Sequence, residues 1–182
     1  MERNGENPAQ IQLLATDIDG TLTDGGMYYS SSGEISKRFH VRDGLGGQLL
    51  QAVGVKVGFI SSDSSSVIEA RAERLGVDFC FSGVTDKVKV VSTLCAENGV
   101  DSSQVAFLGD DVQDLAVMQC VGLAGAVGDA HSLVRKAAEY ICEKDGGSGA
   151  FREFAEYLLA KRGVSVQEAF ELSQRRKFKE DS

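Results

Sequence analysis

The feature that most constrains this chain is a set of strand-length apolar runs at residues 11–16, 55–60, 77–81 and 105–108, with helix-like segments between the last three. Each run ends at a turn made of Asp, Gly or Ser. Runs that are apolar throughout, rather than alternating, describe strands buried on both faces. Strands of that kind alternating with helices predict an α/β fold with a doubly wound, Rossmann-like parallel sheet. Helices are predicted over residues 43–53, with Asp43 as cap, over 67–75, and over 86–98, with Gly99 as the stop. Helix, strand, helix and strand then run to residue 141, and Gly146-Gly-Ser-Gly149 opens an amphipathic helix over 151–161. One insertion breaks the alternation. Residues 27–31 and 35–41 flank Ser32-Gly33 and predict a β-hairpin just after the first strand.

A chain of 182 residues fits one domain, placed at 11–172. Residues 1–10 are expected to be a disordered leader, and 173–182 a loose charged tail after a last short helix. No apolar run nears the ~20 residues of a membrane span, and the first ten residues lack a signal core, so a cytoplasmic protein is expected. The net charge of −8 argues against nucleic acid or an anionic membrane as partner. It is compatible with a phosphorylated small molecule, because one bound cation reverses the local field. The four cysteines, Cys80, Cys95, Cys120 and Cys142, are dispersed and fit a reducing compartment. With two histidines, His40 and His131, a zinc site or a Ser-His-Asp triad is a poor fit. The chemistry therefore falls to carboxylates, lysines, hydroxyls and a metal.

In a doubly wound sheet, ligands bind beyond the carboxyl ends of the strands. Asp17, Ser61, Lys87 and Asp110 all stand at such ends or at the start of the following helix. In Asp17-Ile-Asp19-Gly20-Thr21, Asp17 can attack phosphorus, while Asp19 can protonate the leaving oxygen and then activate water. Two anions approach a phosphate dianion only with a cation between, and oxygen ligands including Asp110 suit Mg²⁺. Ser61 offers a hydroxyl to a phosphate oxygen. Lys87, in the turn Thr85-Asp-Lys87, can tie nucleophile to phosphate. Gly109-Asp110-Asp111-x-x-Asp114 adds the metal ligand, with Asp111 and Asp114 expected behind it. Taken singly, Asp-x-Asp-Gly is also a plain acidic turn, Ser61 a capping residue and Lys87 a solvated charge. Their joint order at strand ends favours the chemical reading.

These motifs resemble those of the haloacid dehalogenase-type phosphatases. The resemblance is closest to the 3-deoxy-manno-octulosonate 8-phosphate phosphatases, from Leu13 to about Lys161. It rests on Asp17-Ile-Asp-Gly-Thr-Leu-Thr-Asp-Gly25, the hairpin with Gly33-Glu34, Val41-Arg-Asp-Gly44, Asp129-Ala-His131 and Gly146-Gly-x-Gly-Ala-x-Arg-Glu153. It implies a capless fold whose hairpin acts as a flap, and a homotetramer in which a neighbour covers the site. It further implies Asp17, Asp110 and the backbone carbonyl of Asp19 on the metal.

Two positions depart from that family. Ser61-Ser62-Asp63 stands where Thr-Gly-Arg is usual, and Ser148 replaces an arginine near the C-terminus. The related 2-keto-3-deoxynononate 9-phosphate phosphatases carry an acid at the position of Asp63 and bases at those of Arg71 and Arg74. Asp63 is then expected beside sugar hydroxyls, and Arg71 with Arg74, one helical turn apart, either on the substrate carboxylate or on a solvated helix face paired with Glu69 or Glu73. Arg42 is a substrate contact or part of a helix cap. Competing classes are a phospho-receiver domain and a catalytically silent oligomerisation module. A receiver takes phosphate after its third strand, where this chain has Phe81-Ser-Gly. A silent module has no need of Asp17, Asp19, Lys87 and Asp110 together.

Overall fold

The computed structural model describes residues 8–180. Most of the expected leader, residues 1–7, and the end of the expected tail, residues 181–182, lie outside the described residues. Pro8–Gln10 form a short 3-10 turn. The Arg162 guanidinium donates to the carbonyls of Ala9 and Ile11, at 3.1 and 2.6 Å, so this segment joins the fold.

Among the described residues, six strands form one parallel sheet. They are β1 (Leu13–Thr16), β4 (Lys56–Ile60), β5 (Phe79–Phe81), β6 (Val105–Gly109), β7 (Leu123–Ala126) and β8 (Tyr140–Ile141). The spatial order is β5-β4-β1-β6-β7-β8. The chain lays down β1, β4 and β5 to one side and then returns to lay down β6, β7 and β8 on the other. The order reverses between β1 and β6, and at that switch point the loops diverge and leave a crevice. The residues of β1 and β6 are buried throughout, as their unbroken apolar runs predict.

Two groups of helices flank the sheet. In one, α1 (Val41–Ala52) packs on α6 (Ala150–Lys161) and α7 (Val166–Glu180). In the other, α4 (Leu115–Met118) packs between α3 (Lys87–Asn98) and α5 (Ser132–Ala137). The helix α2 (Ser66–Leu75) lies near β5 and α1. The core joins the two layers through Phe59, Phe107 and Phe154, all fully buried.

The hairpin forms as predicted, with β2 (Thr23–Ser30) antiparallel to β3 (Gly33–Phe39). It is a separate ribbon, and its first strand is exposed after Thr23. It starts four residues earlier than expected and yields Val41 to α1.

Two expectations need correction. Asp43 does not cap α1, whose N-cap position is held by His40 without a side-chain bond. Asp43 instead sits in the first turn, buried, and accepts from the Arg152 N–H at 2.9 Å, so it serves the N-terminus of α6. Residues 173–180 are not a loose tail: α7 continues to Glu180, Ser173 is buried and Arg176 donates to the Gln51 carbonyl. The Arg, Lys, Glu and Gln of this stretch are good helix formers, and their charge says little against a helix.

Candidate active site

The switch point gathers the predicted groups. Asp17 follows β1 and Asp110 follows β6, and both strands pair in register from Leu13 with Val105 to Thr16 with Leu108. The Asp17 N–H donates to the Leu108 carbonyl at 2.9 Å, which extends the pairing and fixes Asp17 beside Asp110. Gly20, with φ of +87°, makes the turn that follows, and a Cβ there would overlap the Asp110 carboxylate. Thr21 Oγ1 donates to Asp110 Oδ1 at 3.0 Å. Among the described residues, Asp17, Asp110 and Asp114 form an acidic cluster with oxygens within 4.8 Å of one another.

Lys87 enters this cluster from the first turn of α3. Its Nζ lies 2.7 Å from Asp17 Oδ1 and 2.7 Å from Asp114 Oδ1, with all three side chains at 5% exposure or less. Asp114 Oδ2 accepts from the Asp110 N–H at 3.1 Å. Both oxygens of Asp114 are thus hydrogen-bonded to neighbours in the cluster. Asp111 departs from expectation. It is exposed and caps the following turn through the Val112 N–H, at 2.7 Å, so it does not stand behind the metal position.

The electrostatics follow from burial. Burial pushes the Asp17 carboxyl up to about 6, the Asp114 charge adds to that, and the Lys87 ammonium opposes it. Asp110 goes further, to about 8, through burial and the charges of Asp17 and Asp114. For Lys87 burial pulls downward, but Asp17 and Asp114 outweigh it and the net shift is up. Crowded buried carboxylates with raised values call for a cation or a proton among them. Asp17 Oδ2, buried and without a hydrogen-bond partner among the described residues, points the same way. An oxygen-only donor set of this kind fits Mg²⁺.

A second charged cluster stands at the other side of the site. Lys37, on β3, has no exposed side-chain surface; its Nζ lies 2.6 Å from Asp19 Oδ1 and also pairs with Asp63 Oδ2. Burial lowers the Lys37 value, yet the bonds from Asp19 and Asp63 leave it raised. Asp63 is held low, because Lys37 outweighs the effect of burial. Sequence reasoning missed Lys37. The signal lies in the hairpin register, which pairs Lys37 with Met27 and folds β3 back over the Asp19 turn.

Ser61 is buried at the end of β4, and its Oγ accepts from the Asp63 N–H at 3.1 Å, which leaves its own proton to donate. The arginines are not drawn to the carboxylates. Arg71 lies over the Phe39 ring at 5.2 Å and donates to the His40 carbonyl at 3.4 Å, at the root of the hairpin. Arg74 and Arg42 are exposed. The loop at Gly146 closes the site from below: the Gly147 N–H donates to the Thr21 carbonyl at 3.1 Å, and Ser148 is exposed.

A carboxylate pair after the first strand, a lysine-bound nucleophile position and a third carboxylate at the switch point define a class, and the sequence agrees. The family model for haloacid dehalogenase-like hydrolases matches residues 68–153. The 3-deoxy-D-manno-octulosonate 8-phosphate phosphatase of Haemophilus influenzae is 37% identical over 91% of this chain and 90% of its own. The cobalt-bound structure of the Haemophilus influenzae deoxy-D-mannose-octulosonate 8-phosphate phosphatase superposes with a TM-score of 0.86 at 35% identity, covering 90% of this chain and 98% of that one. The Moraxella catarrhalis 3-deoxy-D-manno-octulosonate 8-phosphate phosphatase, solved with magnesium, phosphate and KDO, gives 0.82 at 35% identity, covering 85% and 89%. The chain belongs to the octulosonate 8-phosphate phosphatase family of haloacid dehalogenase-like hydrolases, and it is a phosphoric monoester hydrolase. Among its described residues, no helix is long and apolar enough to cross a membrane.

Proposed function

We propose that this enzyme hydrolyses the phosphate ester of a keto-deoxy sugar acid, with 3-deoxy-D-manno-octulosonate 8-phosphate as the first candidate, using Mg²⁺ and an aspartyl-phosphate intermediate. The observation that carries this is the divided carboxylate of Asp17. Its Oδ1 is fixed by Lys87, and its Oδ2 is buried without a partner among the described residues. Oδ2 is the atom that attacks phosphorus. As that bond forms, the ester P–O bond breaks, and Asp19, entering protonated, gives its proton to the leaving alkoxide. Asp19, now a carboxylate, takes a proton from the water that attacks phosphorus. The Asp17–phosphorus bond breaks, and inorganic phosphate leaves. The Ser61 hydroxyl and the Lys87 ammonium hold the other phosphate oxygens. Asp17, Asp110 and the Asp19 carbonyl would hold Mg²⁺, which when bound screens the carboxylates from the phosphate and stabilises charge on the transferring group.

The relatives support both the substrate and the metal, since the Moraxella protein was crystallised with magnesium, phosphate and KDO. A second substrate, a nine-carbon nonulosonate 9-phosphate, is favoured by Asp63 and Arg74, which match the deoxynononate pattern, while Asp63 and Ser148 stand where the octulosonate pattern has arginines. For the substrate carboxylate, Arg42 and Arg74 are exposed cations that could meet it across a subunit boundary, whereas Arg71 is tied to the His40 carbonyl. The exposed Met27, Tyr28 and Tyr29 of the hairpin support its burial against a second copy in a homotetramer. A cytoplasmic role in making surface-polysaccharide sugars is consistent with this. The test is kcat/KM over eight- and nine-carbon keto-deoxy acid phosphates, with EDTA and with Mg²⁺ restored. Activity should vanish with EDTA, return with Mg²⁺ and favour one acid at least tenfold. Full activity after exhaustive chelation would overturn the mechanism.

A further inference from the structure

We infer that Asp63 acts on the reaction through Lys37, as one half of a positioning pair for Asp19, and does not touch the substrate. The geometry is specific. Lys37 has no exposed side-chain surface, and its ammonium is divided between Asp19 Oδ1, at 2.6 Å, and Asp63 Oδ2. The other carboxylate oxygen of Asp63 is also taken: Oδ1 accepts from the Ser65 N–H at 3.1 Å. Asp63 is therefore anchored at both ends, one on the chain entering α2 and one on the hairpin. Each of its oxygens is thus held by a donor of this chain itself.

The three side chains have a common purpose. An ammonium with a single acceptor on a long flexible stem swings freely. With two acceptors on opposite sides it is held on a line between them, so Asp63 fixes Lys37 and Lys37 fixes Asp19. Asp19 sits on a turn that has just left β1 and has no strand to hold its side chain. A carboxyl that must reach a leaving oxygen loses much of its effect when misplaced by an ångström. An arginine in place of Asp63 would meet Lys37 as a like charge. In this way the chain couples its acid/base to the hairpin through Asp63.

The inference rests on Asp19 as acid/base, and the experiment separates the two. Rates are measured with Mg²⁺-loaded enzyme on phenyl phosphate and p-nitrophenyl phosphate, esters of nearly equal shape. Only phenyl phosphate has a leaving group that strongly needs a proton. Lys37→Met should lower kcat/KM for phenyl phosphate about 10–100-fold and for p-nitrophenyl phosphate less than about threefold, with Lys37→Arg recovering part of the loss. Asp63→Asn should show the same leaving-group bias, at about 3–10-fold, and should add nothing on top of Lys37→Met. Equal losses on both esters would overturn the inference, as would additive effects of the two substitutions. So would an Asp63→Asn enzyme that is unchanged on both esters but impaired in KM for a keto-deoxy acid phosphate. If Lys37→Met does not fold, the leaving-group bias of Asp63→Asn decides alone. Asp19→Asn is the control: wild-type activity there would sink the acid/base assignment itself, whereas an inactive Asp19→Asn beside unaffected Lys37 and Asp63 variants would sink only the positioning pair.

Discussion

Lys87 bridges Asp17 and Asp114, and Lys37 bridges Asp19 and Asp63, but the first lysine stands on a helix packed against the sheet and the second on a ribbon. The Asp17 and Asp114 side chains are 2% and 0% exposed, whereas those of Asp19 and Asp63 are 22% and 28% exposed. Burial costs the first cluster, and it raises Asp17 and Asp110 toward neutrality until a cation arrives. The second cluster keeps contact with water, which its acid/base must exchange protons with. One site thus holds a fixed, dry half around Asp17 and a wetter half around Asp19, and different failures are expected in each.

The largest effect should come from the dry half. Asp17→Asn removes the attacking oxygen, so turnover should fall by about 10⁴-fold or more and no phosphoryl group should be trapped on the protein. Asp19→Asn leaves the nucleophile in place and should cost about 10²–10⁴-fold. Rapid-quench trapping of labelled phosphate separates the two: a phospho-enzyme from Asp17→Asn would break the assignment.

Next is the cost of leaving buried carboxylates unpaired. Lys87→Met should destabilise the metal-free protein by about 3–5 kcal/mol, because Asp17 and Asp114 then face each other without a cation. The pH dependence has a definite sign. Asp17 and Asp110 bind protons more tightly folded than unfolded, with folded values near 6 and 8 against an ordinary 3.8. Through these groups the metal-free fold loses stability as pH rises from about 4 to about 8. Lys87, raised above 10.5, contributes fully at every pH in that range. Chemical melts in EDTA should therefore show a larger penalty for Lys87→Met at pH 8 than at pH 5. Mg²⁺ should bind with release of protons below pH 8, read by calorimetry in two buffers. A pH-independent penalty would mean that the carboxylates do not repel.

The smallest effect belongs to the exposed arginine of α2. Arg74→Ala should slow a keto-deoxy acid phosphate by about 10–150-fold, the loss of one charge-assisted contact of roughly 1.5–3 kcal/mol, and leave p-nitrophenyl phosphate nearly untouched. Arg71→Ala should reach both esters, because Arg71 lies against Phe39 and the His40 carbonyl at the hairpin root. Equal behaviour of the two variants would deny any distinction between the exposed arginine and the one at the hairpin root.

The dry half was legible in the sequence. Asp17, Ser61, Lys87 and Asp110 each follow a strand or open a helix, and parallel topology brings such positions to one crevice whatever the details. The hairpin half was not. Lys37 stands among Ser36 and Arg38 and looks like any solvated charge, since only the fold-back of β3 carries it to Asp19. Asp63 was expected at sugar hydroxyls, and its ion pair with Lys37 was not legible, because the lysine arrives from the hairpin. Arg71 and Arg74 share a helix face by spacing, but only the packing of α2 shows that Arg71 reaches the hairpin root while Arg74 stays exposed. Helix ends were misjudged where charge was read as looseness, as in α7, or where Asp43 served a different helix from the one it precedes.

The central place of β1, between β4 and β6, has a consequence for heat. Amides of a strand paired on both sides exchange with solvent only when the whole domain opens, whereas a two-stranded ribbon with an exposed face opens by itself. On warming, the ribbon should loosen first, and Lys37 would leave Asp19 while Asp17 and Asp110 still stood in place. Catalysis would then fade reversibly, degrees below the cooperative melt of the sheet, and cooling would restore it without any refolding of the core.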